Sequence, residues 1–114
     1  MTVLSASTIR NLGQPQYERR KQAALEVETL VRELHQARDF EKVQAVISQL
    51  GNDLAESPLV NVRKGALHAL AGTAIGMRQD VDRVMSELLR PVLASFSDQV
   101  FASEDRLLGC QQHL

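Results

Sequence analysis

The chain has 114 residues, 44% hydrophobic and 24% charged, with a formal net charge of −1. That length suits one domain with one modest core, and the near-neutral balance excludes both the basic stripe of a nucleic-acid binder and a polybasic membrane anchor. With no Trp, one Tyr and three Phe the core has to be aliphatic, and the single Cys, Cys110, cannot close an internal disulfide and fits a reducing compartment.

In chain order, Met1–Ser5 lacks the basic region and apolar run of a secretory leader. No stretch approaches the ~18 apolar residues of a membrane span, so the expected compartment is the cytosol. No segment alternates at the period of a strand; apolar residues recur at helical spacing throughout. Val3–Leu12 predicts a short helix carrying Leu4, Ile9 and Leu12, broken by Gly13-Gln14-Pro15. A long amphipathic helix follows over 16–36, with Pro15 tolerated at its first turn. Its stripe is Tyr17, Ala24, Val27, Val31 and Leu34, widened by Ala23 and Leu30, while Glu18, Arg19, Glu28, Arg32 and Glu33 fall mostly on the other side.

Asp39 is placed to cap a third helix bearing Phe40, Val43, Ile47, Leu50 and Leu54, which Ser57-Pro58 ends. Asn61 is expected to cap a fourth over 62–77. Its apolar face is small: Ala66, Leu67, Ala69, Leu70, Ala71, Ala74 and Ile75, interspersed with Gly65, Gly72 and Gly76. Each interior glycine costs about 1 kcal/mol against Ala, and close approach of a neighbouring helix is the expected return. Asp80 or Asp82 is expected to cap a fifth helix, to about Ser97, with Val81, Val84, Met85, Leu88, Val92 and Phe96 inward and a kink at Pro91. From Asp98 the pattern weakens. Ser103-Glu104-Asp105 could open a last turn with Leu107 and Leu108, which Gly109 interrupts.

Arg20-Lys21-Gln22-Ala23 and Arg63-Lys64-Gly65-Ala66 open two of these helices 43 residues apart. A period of roughly 40–47 residues holding two helices is that of HEAT and armadillo repeats, whose units bury their apolar faces only by stacking. The pairs are 3–36, 38–77 and 80–114, the last with almost no second helix. The expected fold is therefore all-α: a right-handed α-solenoid of about two and a half helical hairpins over residues 3–99, with a divergent tail at 100–114. Leu88, Val92 and Phe96 should be partly exposed where a second-helix partner is missing.

No residue set reads as catalytic. His35, His68 and His113 lie too far apart for a zinc site; His35 reads as the solvated end of a helix and His68 as an exposed face. Glu26, Glu28 and Glu33, and Glu104-Asp105, are the densest acids, yet they interleave with Arg32 and Arg38 as solvated helix charge rather than as a glycosidase pair. Cys110 has no evident base or orienting group. The glycines of 65–76 follow no strand and have the wrong spacing for a phosphate loop. The expectation is no enzyme, no metal and no cofactor, with partner-binding residues unassigned. The paired bases, Arg19-Arg20-Lys21 and Arg63-Lys64, admit two readings. They bond acids or carbonyls in the inter-helix turns, or they form a basic strip for a partner or a lipid head group. The first is favoured, because a helix start disfavours cations unless a partner offsets the dipole.

Tyr17-Glu18-Arg19-Arg20-Lys21-Gln22-Ala23-Ala24-Leu25-Glu26-Val27-Glu28 resembles the N-terminal segment of the HEAT-repeat scaffold subunit of the complex that makes and turns over phosphatidylinositol 3,5-bisphosphate. Arg63-Lys64-Gly65-Ala66-Leu67 with Gly76, and Glu87-Leu88-Leu89-Arg90-Pro91-Val92-Leu93 followed by Phe96 and Asp98, are similar in order and spacing, so that the resemblance covers about residues 4–99. It implies a non-catalytic role: holding a PIKfyve-type phosphoinositide 5-kinase, and further an opposing 5-phosphatase, on endosomal or vacuolar membranes, with membrane contact only through the complex. Arg20, Lys21, Arg63 and Lys64 match fold-signature positions of that family. The chain departs from the family pattern after Gln99 and lacks the family's further repeats. A general HEAT adaptor in trafficking and a truncated product without activity of its own remain the alternatives.

Overall fold

The computed structural model describes residues 3–95. They form α1 (Ala6–Leu12), α2 (Tyr17–Gln36), α3 (Phe40–Ser48), α4 (Val60–Met77) and α5 (Met85–Ser95). A π-helical segment, Gln49–Leu54, continues α3, and a 3-10 helix, Arg78–Val84, leads into α5. No strand occurs among the described residues, and the all-α, solenoid-like arrangement of helical hairpins holds. The expected tail at 100–114 and the inward place of Phe96 lie outside the described residues.

Helix starts follow local chemistry where a side chain can cap. Ser5 Oγ accepts from Thr8 N at 3.2 Å to open α1, and Asp39 Oδ1 accepts from Lys42 N at 3.3 Å to open α3. Two expected caps are corrected. Asn61 does not cap α4; the extended residue before that helix is Leu59, its carbonyl taking the amides of Val62 and Arg63 at 3.1 and 3.2 Å. The helix therefore starts at Val60, ahead of Asn61. Neither Asp80 nor Asp82 caps a fifth α-helix, because both lie inside the 3-10 helix that runs into α5 without a break. Past Ser48 the third helix widens: Ala55 N donates to Leu50 O at 2.8 Å, a π-type bond. A Cβ added at Gly51 in this segment would stand 3.3 Å from the ring of Pro91 in α5.

The helices form two layers. α2 and α4 lie side by side in the most extensive helix contact of the molecule, α1 packs on α2, and α5 touches α3, its π-helical continuation and α4. Between the layers Leu12, Val27, Val31, Val43, Val46, Leu50, Leu70, Met77 and Val84 are buried; each such side chain contributes roughly 1.5–3 kcal/mol. Small residues bring the second helices together. A Cβ on Gly72 would meet the Ala24 carbonyl at 2.9 Å, and one on Gly76 the Glu28 carbonyl at 2.9 Å, so the glycines of α4 set its distance from α2.

Some inward assignments change. Tyr17 is 52% exposed rather than part of the α2 stripe; the buried position beside it is Arg20. Leu88 was expected to be partly exposed and is buried, because it continues the Val84 face into the core. Val92 is half-buried. The apolar residues α5 leaves exposed are Met85, Leu89 and Leu93.

Candidate partner-binding surface

The repeated basic phrase has a structural job. The guanidinium of Arg20 donates to the carbonyls of Gln14 and Pro15, each at 2.9 Å. Arg63 donates to the carbonyl of Ser57 at 2.7 Å. Pro15 and Pro58 sit 43 residues apart, as do Gln14 and Ser57, so both arginines reach back six residues onto the same point of the same turn. Each turn begins at a proline, and its free carbonyls need donors. The guanidinium supplies charge-assisted ones and offsets the unfavourable placement of a cation at a helix start. The favoured reading of the basic pairs is the one found for Arg20 and Arg63.

The other singled-out residues are also tied into the fold. His35 is not a solvated helix end: its side chain is 14% exposed, with Nε2 2.7 Å from Oδ2 of Asp80. Arg83 stands 3.7 Å from the other Asp80 oxygen and lies over the Phe40 ring. The hydrogen bond from His35 holds the Asp80 carboxyl below its ordinary range, helped by the charges of Arg83, His35 and Arg38 against the opposing effect of burial. This cluster ties the end of α2 to the entry into α5. The separation of His35 and Asp80, 45 residues, left no local signal in the sequence. Glu26 accepts from Thr8 Oγ1 at 3.0 Å, and Glu28 pairs with Arg32 one turn on. His68 is half-buried rather than exposed, its ring 5.5 Å from that of Tyr17. No group of His, Cys, Asp and Glu suited to a metal ion occurs among the described residues. His113, Cys110, Glu104 and Asp105 lie outside them.

Among the described residues, exposed apolar side chains gather on two surfaces. One is the stripe Met85, Leu89 and Leu93 on α5, which borders the buried Val84–Leu88 face. The other lies on the α2–α4 layer, on the side turned away from the core. There Leu25 (46% exposed) and Ile75 (59%) flank a hollow of about 150 Å³ that Lys21, His68 and Ala71 also line. Leu25 was legible as an apolar residue off the α2 stripe; the place of Ile75 needed the helix to be oriented by its glycines.

Residues 61–108 match the family model described as the Vacuolar 14 Fab1-binding region. The match takes in α4 from its second residue, the 3-10 helix and α5, and runs past Gln99. The chain is 38% identical over 111 residues to the Protein VAC14 homolog of Arabidopsis thaliana, covering 97% of this chain and 15% of that protein. It is 37% identical over 105 residues to the Protein VAC14 homolog of Schizosaccharomyces pombe, covering 90% and 13%. It is 37% identical over 100 residues to the Vacuole morphology and inheritance protein 14 of Saccharomyces cerevisiae, covering 84% and 11%. The chain thus spans 15% or less of the length of these relatives. No solved structure matches it. The resemblance drawn from Tyr17–Glu28 and the later stretches is borne out: the chain is similar to the Vac14 proteins over nearly all of its length.

Proposed function

We infer from this similarity to the Vac14 proteins that the chain is a non-catalytic scaffold region. It supports a Fab1-type (PIKfyve-type) phosphoinositide 5-kinase in the complex that controls phosphatidylinositol 3,5-bisphosphate synthesis on endosomal and vacuolar membranes. The observation that carries the reading is the match of residues 61–108 to a region described by its binding to Fab1. The architecture supports it. Glu26, His35 and His68 are engaged in contacts between elements and Glu28 in a pair within α2, while apolar residues stand exposed on α2, α4 and α5. Residues 3–99 act as the repeat region that presents those surfaces. Membrane association runs through the complex in this reading, and no helix among the described residues is long and apolar enough to cross a bilayer. An opposing phosphoinositide 5-phosphatase is the second partner of this reading.

The test is capture. The full chain, tagged and co-expressed with the Fab1-type kinase, is expected to retain the kinase through washing, and the eluate to phosphorylate phosphatidylinositol 3-phosphate. The chain purified without the kinase is expected to transfer no phosphate. A chain that retains no kinase, or that shows phosphotransfer alone, overturns the reading.

A further inference from the structure

We propose that the hollow between Leu25 of α2 and Ile75 of α4 is the kinase-docking site, and that it receives an apolar side chain from an acidic segment of the Fab1-type kinase. The proposal rests on the scaffold reading above and assigns the surface through which it acts.

The argument starts from how the layers grow. A helical-repeat array extends by adding hairpins at its end. The second helix that completes the hairpin opened by α5 would lie beside α4, on the edge where Leu67 and Ala74 are partly buried. It would cover the exposed stripe of α5, because Met85 and Leu89 border the buried Val84–Leu88 face. It would lengthen the outer side of the α2–α4 layer without covering it. Leu25 and Ile75 therefore stand where no repeat of the array can bury them, and their exposure calls for a partner of another kind.

The site is also shaped. Its walls are the side chains of Leu25, Glu28, His68 and Ile75, and its floor is Ala24, Ala71 and Gly72. A Cβ at Gly72 would meet the Ala24 carbonyl at 2.9 Å and stand 3.5 Å from Cβ of Glu28, so the glycine is what lets α2 and α4 close up beneath the hollow. Glu28 is already paired with Arg32, whereas Lys21 is exposed and shows no ion pair among the described residues. The rim is thus left positive, which complements acidic residues beside an apolar anchor. The residues α4 contributes to the hollow, His68, Ala71, Gly72 and Ile75, fall within the matched region.

Leu25→Glu and Ile75→Glu in the full chain test it. Both positions are half exposed or nearly so, and Glu is a better helix former than Ile, so the helical circular dichroism and the unfolding midpoint should not move. Capture of the kinase is expected to weaken about tenfold for each. The uncharged Leu25→Gln and Ile75→Gln should weaken it in the same direction, Lys21→Glu should weaken it and flatten its salt dependence, and Leu93→Glu on α5 should leave it unchanged. Wild-type capture retained by the Leu25 and Ile75 variants, or lost in Leu93→Glu alone, overturns the docking site while leaving the scaffold reading intact. A wild-type chain that captures no kinase overturns both.

Discussion

Gly65 of α4 lies so close to Leu12 at the end of α1 that a Cβ on the glycine would stand 1.8 Å from the leucine carbonyl oxygen. The obstacle is backbone, which cannot rotate aside like a side chain, so the two helices would have to part. Gly65→Ala gains about 1 kcal/mol of helix propensity but forces overpacking that costs more. The expected net loss is about 2 kcal/mol or more, read as a fall in the urea midpoint. Ala71→Gly, on the exposed side of the same helix, should cost only the propensity of about 1 kcal/mol. Equal effects of the two changes would refute the account.

Arg20 is 8% exposed and donates to both the Gln14 and Pro15 carbonyls. Arg20→Met keeps much of the apolar stem and leaves those carbonyls without their donor. Charged hydrogen bonds are worth about 1.5–3 kcal/mol, and relief of the unfavourable cation at a helix start returns a part of that. The expected cost is about 1–2 kcal/mol in chemical denaturation, with Arg20→Lys intermediate because one ammonium cannot reproduce the planar fork. A neutral Arg20→Met would show that water satisfies this turn.

The helices and the glycine-mediated approach were legible because periodicity and small-residue spacing are local properties of the chain. Asp39 was legible as a cap for the same reason. The failures are places where a distant contact decides. Asp80 has the chemistry of a cap and spends its carboxylate on His35. Tyr17 has the spacing of a core residue, but the neighbouring turn needs a guanidinium and Arg20 takes the buried place. The outer face is the least legible part. Leu25 falls off the expected α2 stripe, and Ile75 and Ala71, expected on the apolar face of the fourth helix, are exposed instead. Only setting α2 and α4 side by side brings them together.

Asp80 makes stability depend on acid. Its carboxyl is held below the ordinary carboxylate value in the folded chain, first through the hydrogen bond from His35. A depressed carboxylate pKa means that the unfolded chain binds the proton more readily. The stabilisation is therefore fully present above the unfolded value and is lost as pH falls through the folded one. Asp80→Asn removes this dependence. The gap in unfolding midpoint between wild type and Asp80→Asn should be widest above about pH 5 and should shrink as the pH is lowered towards about 2. A gap that is constant over that range would show that the His35 contact does not favour the ionised form.

Two arginines occupy backbone conformations suited to glycine. Arg38 has φ 61° and Arg78 has φ 55°. Around Arg38, Asp39 N donates to Leu34 O at 2.9 Å and Arg38 N to His35 O at 3.0 Å, the paired bonds of a helix end that usually places Gly at this position. Arg78 combines its φ with ψ −131°, further from the conformations open to an L residue. Gly at either position relieves about 1–2 kcal/mol of steric cost and gives back about 0.5–1 kcal/mol in unfolded-state entropy. Arg38→Gly is therefore expected to stabilise by about 0.5 kcal/mol, with Arg78→Gly larger, and Arg38→Val to destabilise because a β-branched side chain fits this region worst. Thermal unfolding of the three variants decides the matter. A lower midpoint for Arg78→Gly than for wild type would mean that the arginine side chain, and not the bend of the chain, is what that position supplies.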